Sequence, residues 1–160
     1  MTFERTVDFH LVRSILTGPG IYPHITDDFS PAREVFEVNQ NAAIWYVLAI
    51  DGGKVVGLFS LLPRNAIRWE LHFAMVRKVS PKITREAGRG IVPWIWEYTH
   101  CKRLMAEVPV CNKAAVRYGL RAMGLKAFGR DRAAFLKNGK LVDLICMGIS
   151  RPPAPIQFTI

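Results

Sequence analysis

Apolar residues change their spacing several times along this chain, and each change marks an element. Phe3, Val7, Leu11 and Ile15 recur every four positions, which predicts a helix over about residues 4–16. Glycine and proline in the segment Thr17–Pro23 break that period. Ser30-Pro31 predicts a second helix, ending before Asn41: a hydroxyl to accept a free amide, a proline where no amide is needed, and Glu34 in the first turn. From Ile44 the pattern becomes strand-like. Ile44–Ile50 and Val55–Leu62 flank the turn Asp51-Gly52-Gly53-Lys54 and predict a hairpin. Ile67 to Val76 alternates, with Ile67, Trp69, Leu71, Phe73 and Met75 on one face and Arg68, Glu70, His72 and Ala74 on the other.

The basic, glycine-bearing stretch Arg85–Gly90 reads as a loop, and a helix is expected from about Gly90 to His100 with Pro93 in its first turn. Leu104–Val110 reads as a buried strand, and Asn112–Met123 as a helix closed by Gly124. Ala127–Lys137 and Leu141–Ile149 flank Asn138-Gly139, a two-residue hairpin signal. The order predicts a single mixed α/β (α+β) domain over residues 1–160 around a central sheet, with an extended tail over 152–160.

Composition narrows the function classes. Half of the 160 residues are hydrophobic, enough for a core and too many for a disordered chain. No apolar run approaches the ~20 residues that span a bilayer, and the mixed charges of residues 1–16 do not resemble a signal peptide. Three cysteines without a CxxC argue against a disulfide framework or a zinc site and fit a reducing cytoplasm. His10, His24 and His100 show no metal spacing, so no metal is expected. Cys111 reads as a buried thiol. Trp94 and Trp96, two positions apart, read as one core and one surface residue. Twenty-two Lys and Arg against thirteen Asp and Glu give a formal charge of +9, which suits a polyanion such as nucleic acid, anionic lipid or a polyphosphate cofactor. No nucleic-acid motif accompanies that charge, and neither a nucleic acid nor a membrane is expected as the partner.

The chemistry concentrates in Arg85-Glu86-Ala87-Gly88-Arg89-Gly90, an R-x-x-G-x-G pattern between a strand and a helix. Glycines let backbone approach a ligand, consecutive amides make an anion nest, and a following helix adds its positive end. Lys82, Arg85 and Arg89 add charge. The alternative is an ordinary strand-to-helix turn. Glu70 and His72 share the polar face of the central strand and are candidate general bases; the alternative for each is a solvated polar residue.

The chain resembles the GNAT superfamily of N-acetyltransferases over nearly its whole length. The pattern R-x-x-G-x-G, the hairpin Asp51–Gly57, Val79-Ser80-Pro81, and the block from Asn112 through Tyr118 to Gly124-Leu125 occur in the family's order. The resemblance implies a central mixed, mostly antiparallel sheet flanked by helices on both faces. It implies acetyl-CoA as co-substrate, its pyrophosphate on the amides of Glu86, Ala87, Gly88, Arg89 and Gly90, and its pantetheine arm beside Val79 and Asn112. A small-molecule or protein amine would attack the thioester directly, with Tyr118 as the acid for the leaving thiolate. Tyr118 stands six residues before Gly124, against four in the family, so a core role for its ring is the alternative. Capping a helix, the commoner use of Asn, is the alternative for Asn112. The chain also resembles small internal virion proteins of short-tailed phages, which implies a second possibility: a catalytically idle GNAT-like subunit in a homo-oligomer or virion.

Overall fold

The alternation in the central strand sets the layers. Trp69 and Leu71 join a core with Val47, Phe59, Leu61, Ile91 and Ile95. Ala74 turns the other way, toward Tyr46, Leu48, Leu58, Val12 and Ile15. The computed structural model describes residues 1–153, so most of the expected tail lies outside the described residues. Among them seven strands occur: β1 (Thr2–Thr6), β2 (Trp45–Asp51), β3 (Lys54–Pro63), β4 (Arg68–Met75), β5 (Arg103–Pro109), β6 (Lys126–Lys137) and β7 (Lys140–Ser150). They form one sheet in the order β1-β2-β3-β4-β5-β7-β6. The β4–β5 pair is parallel and the others are antiparallel. Helix α1 (Phe9–Leu16) lies on one face, followed by the short α2 (Tyr22–Ile25). Helices α3 (Pro81–Tyr98) and α4 (Lys113–Arg121) cover the other. The expected architecture, a mixed, mostly antiparallel sheet with helices on both faces, is the observed one.

Both expected hairpins form. Gly52 and Gly53 take φ of 55° and 76°, and Asn138 and Gly139 take 52° and 70°, the left-handed backbone that two-residue turns require. Three expected elements fail. Residues 2–6 are a strand on the open edge of β2, and the helix begins only after Asp8, whose carboxylate accepts from the Leu11 amide at 2.9 Å. The four-residue spacing of Phe3 and Val7 was therefore not a helical face: Phe3 packs on Phe59 and Trp94, and Val7 is exposed. The second predicted helix is reduced to a single 3₁₀ turn at Arg33–Val35. The Ser30 hydroxyl is engaged with the Asp27 carboxylate and amide, so it caps nothing downstream.

The third failure bears on function. Residues 85–90 are not a loop. Helix α3 starts at Pro81, with the Ser80 hydroxyl accepting from the Ile83 amide, and runs through both glycines. Pro93 accordingly sits in the helix interior rather than in a first turn, on an exposed side of it, where it leaves one carbonyl without its usual helical partner. Trp94 and Trp96 are both half-buried, where one core and one surface residue were expected. No helix among the described residues is long and apolar enough to cross a membrane.

Candidate active site

Strands β4 and β5 pair only at their beginnings, from Arg68 with Arg103 to Glu70 with Met105. Beyond that point β4 remains paired to β3 and β5 to β7, so the two strands part. Two adjacent cavities occupy the opening. One, about 530 Å³, is bounded by Met75, Arg77, Thr84, Ala114 and Tyr118, between the end of β4 and the starts of α3 and α4. The other, about 360 Å³, lies on the α1 side, with His72, Ser60, Glu107, Leu58 and Phe135 in its wall. Phe73, Ala74, Asn112, Ala115, His24 and Ile25 line both. Volumes of this size suit small organic ligands.

His72 lines the second cavity, and Glu70, two residues before it on the same side of β4, lies just outside, in a neighbouring hollow with Arg64, Arg68 and Glu107. One Glu70 oxygen lies 2.7 Å from His72 Nε2. The other accepts from Arg64 Nε at 2.6 Å, and a second guanidinium nitrogen of Arg64 is also in contact. The hydrogen bond from His72 holds the Glu70 carboxyl down at about 2, with the Arg64 bond and charge adding to it against the cost of burial. Glu70 is therefore a firmly ionised carboxylate. It orients an imidazole well and accepts a transferred proton poorly. Glu107, on β5, faces the second cavity, and among the described residues no cation pairs with it. The sequence reading missed Glu107. Its signal was the alternation of β5, where Leu104, Ala106 and Val108 are buried and the acid falls on the opposite face.

Tyr118 borders the first cavity, but its hydroxyl donates to the Thr84 carbonyl at 2.9 Å, and its ring packs on Phe73 with centroids 5.4 Å apart. Burial pushes its hydroxyl pKa up. Gly88 makes this contact possible: a Cβ there would lie 2.7 Å from the Ala122 Cβ and 3.0 Å from the Tyr118 hydroxyl. Gly90 likewise admits Phe3, whose ring a Cβ would meet at 2.7 Å. The glycines thus serve packing, not a nest. The amides of Glu86, Ala87, Gly88, Arg89 and Gly90 lie within α3, where they are engaged with the preceding turn. Ala87 is fully buried in the core, and Glu86 is half-buried. Arg85 and Arg89 are exposed one turn apart, with Lys82 beside them and Arg77 and Lys78 just before the helix. Among the described residues, none of these five cations is in an ion pair.

Val79 is half-buried between Lys78 and the Ser80 cap. Asn112 caps α4, accepting from the Ala115 amide at 3.2 Å, where the junction of the two cavities lies. Cys111 is exposed, contrary to expectation, and Cys101 is the buried thiol. Among the described residues, no three His, Cys, Asp or Glu side chains are grouped to hold a metal ion.

The roof of the second cavity comes from the far end of the chain. Strand β6 carries a bulge: from Asp131 to Phe135 it advances four residues while β7 advances two, from Leu144 to Val142. Ala133 takes a φ of 52° there, its amide held by the Asp143 carboxylate at 3.0 Å. Past this bend, Phe135 closes over the cavity. The turn amides of Asn138 and Gly139 both donate to the Asp28 carboxylate at 2.7 Å, and the Lys137 ammonium donates to the Pro23 carbonyl at 2.6 Å and to that of Thr26.

No family model matches the chain, and no curated protein matches it by sequence. Solved structures do match. The spermidine N-acetyltransferase of Vibrio cholerae, in complex with CoA and spermine, superposes with a TM-score of 0.74 at 15% identity, covering 93% of this chain and 94% of that one. The ribosomal-protein-alanine N-acetyltransferase of Brucella melitensis superposes with a TM-score of 0.66 at 16% identity, covering 94% and 100%. At such identities the likeness establishes the fold, which is that of the GNAT N-acetyltransferases.

Proposed function

We propose that the chain is an N-acetyltransferase that takes an acetyl group from acetyl-CoA and passes it to an amine by direct attack. The observation that carries this reading is the opening between β4 and β5: one cleft runs from the cationic start of α3, past the unpaired side of residues 73–75, into a chamber walled in part by His72. Among the proteins of this fold, one holds CoA together with an amine, which supports the assignment.

The residues present fit a polyphosphate cofactor by charge rather than by a glycine nest. Arg77, Lys82, Arg85 and Arg89 would carry the phosphates near the α3 N-terminus, whose dipole adds positive potential. The first cavity, beside Val79 and Asn112, would take the apolar arm. The bound thioester supplies the activated acyl group. His72 serves as the base: its Nε2–H donates to Glu70, which leaves Nδ1 to accept the amine proton as the new C–N bond forms and the C–S bond breaks; the ionised carboxylate stabilises the imidazolium that results, and solvent supplies the proton for the departing CoA thiolate. Glu70 is a positioning residue in this reading. Tyr118, committed to Thr84, is a post between α4 and α3 rather than the acid.

The test is titration of the protein with acetyl-CoA, alongside release of CoA thiol over a panel of amines. Binding with turnover is expected, and His72→Ala should lower the rate by ~100-fold or more with the cofactor affinity unchanged. Absence of binding at millimolar acetyl-CoA would overturn the proposal. Binding without turnover would favour an idle structural subunit instead.

A further inference from the structure

The second cavity also says what kind of amine it takes. Most of its wall is apolar, with Leu16, Ile25, Phe36, Ile44, Leu58 and Phe135 among its members, and its polar side chains besides His72 and Glu107 are the uncharged Ser60, Asn39 and Asn112 together with His24 at the junction. The Tyr46 hydroxyl, which could have offered a polar contact, is turned to the Asn39 carbonyl at 2.8 Å, so Tyr46 presents its ring. Of the carboxylates near this chamber, Glu70 has both oxygens engaged, by Arg64 and His72. Glu107, exposed at the edge of the chamber and bordering a neighbouring hollow with Arg64 and Arg68, is left as the carboxylate in the wall that is in no ion pair among the described residues. One ammonium can be met there. A second charge would be buried among leucine, isoleucine and phenylalanine side chains without a partner, which is costly.

Resting on the transfer reading above, we propose that the acceptor is a primary monoamine on an apolar body, aromatic or branched aliphatic, drawn in by Glu107 and deprotonated by His72. A polyamine does not suit this chamber, although a protein of the same fold was solved with spermine. The body would lie against Leu58, Ile44 and Phe36 under the Phe135 roof, and its nitrogen would point to the junction at Ala74 and Asn112 where the two cavities meet.

The experiment compares phenethylamine, isoamylamine and spermidine as acceptors by CoA thiol release, and measures binding of the same three amines without cofactor by calorimetry. The apolar monoamines should exceed spermidine in kcat/KM by about tenfold or more, the scale on which apolar pockets discriminate. Glu107→Gln should raise KM for phenethylamine with little change in kcat, the signature of a group that binds the amine before reaction and not more tightly afterwards. Ile44→Asp places a second carboxylate in the wall and should narrow or invert the preference. Leu62→Glu, on β3, is the substitute if that variant fails to fold. Spermidine turned over as well as phenethylamine would overturn this inference and leave the transfer reading standing. Turnover of no amine would overturn the transfer reading, and the binding arm then decides the chamber's preference by itself. Phenethylamine bound more tightly than spermidine, and weakened by Ile44→Asp, upholds it; no preference between them overturns it.

Discussion

The two faces of the sheet are covered in different ways. On one, α3 and α4 satisfy their own backbones and bury Ile91, Ile95 and Ala87 directly on the strands. On the other, α1 is followed by a stretch from Thr17 to Ala43 that has only a four-residue helix and one 3₁₀ turn. Side chains must satisfy its backbone instead. Arg13 alone donates to the carbonyls of Phe36, Glu34 and Arg33, at 2.8, 2.8 and 3.3 Å. Tyr22 donates to the Pro31 carbonyl, and Thr26 to that of Tyr22. A helix packs tightly because its polar groups are spent internally. A chain held by side chains touches the sheet at fewer points, Ile21 and Val38 among them, and the second cavity lies on that side. Regular cover supplies rigidity and irregular cover supplies space.

The sharpest way to test this contrast is to crowd the tight face. Gly88→Leu forces a side chain into the contact between α3, Ala122 and Tyr118. The fold should lose about 3 kcal/mol, the upper end of overpacking costs, in urea denaturation. A loop glycine binding phosphate would show little loss, so an unchanged midpoint would refute the packing role. Tyr118→Phe, which deletes the hydrogen bond across the same contact, should cost only about 1 kcal/mol.

On the irregular face, Arg13→Ala should cost about 1.5 kcal/mol, since charged donors contribute more than neutral ones and the half-buried Phe36 carbonyl loses its partner, while the exposed carbonyls of Arg33 and Glu34 can turn to water. Arg13→Lys should recover little of it, because an ammonium cannot reproduce the guanidinium fork. Full recovery by lysine would mean that charge alone, not geometry, holds this cover.

The smallest signal belongs to the boundary of the chamber. Glu70 titrates at about 2 in the fold, against an ordinary 4.5, so the unfolded chain binds its proton first. Its contribution is present above about pH 4.5 and is lost as pH falls through about 2. The melting temperature of the native protein should therefore drop more steeply over that window than that of Glu70→Gln. Parallel curves would show that the Arg64–Glu70–His72 array contributes nothing.

The two Ser-Pro dipeptides explain what the sequence disclosed and what it hid. Ser30-Pro31 and Ser80-Pro81 carry the same local signal for a helix start. At Ser80 the hydroxyl caps Ile83 and eighteen helical residues follow. At Ser30 a nearby Asp27 takes the hydroxyl first, and no α-helix forms. The signal was correct in one place and pre-empted in the other by a competitor three residues away. Elements whose identity depends on local turn chemistry were legible: the Gly52-Gly53 and Asn138-Gly139 hairpins, and α4 between Asn112 and Gly124. So was the alternation of β4, which brought Glu70 and His72 together. The role of Gly88 and Gly90 was not legible. A glycine that frees the backbone and a glycine that admits a neighbouring ring look alike until the ring is in place. Glu107 was hidden for a related reason, since its meaning depends on β4 and β5 parting beside it.

The tether between Asp28 and the 138–139 turn joins positions more than a hundred residues apart. During synthesis the N-terminal part emerges first, and its strands can pair while the rest is still being made. The chamber they border has no lid at that stage. Phe135 and Lys137 arrive with the last hairpin, and closing so long a loop is among the slower steps available to a chain of this size. Five of the seven strands can therefore pair before the second cavity is closed. A chain truncated before residue 126 would keep β1 to β5 and both long helices in its sequence, yet could not build the roof. The roof would then form in a single event, when the 138–139 turn meets Asp28.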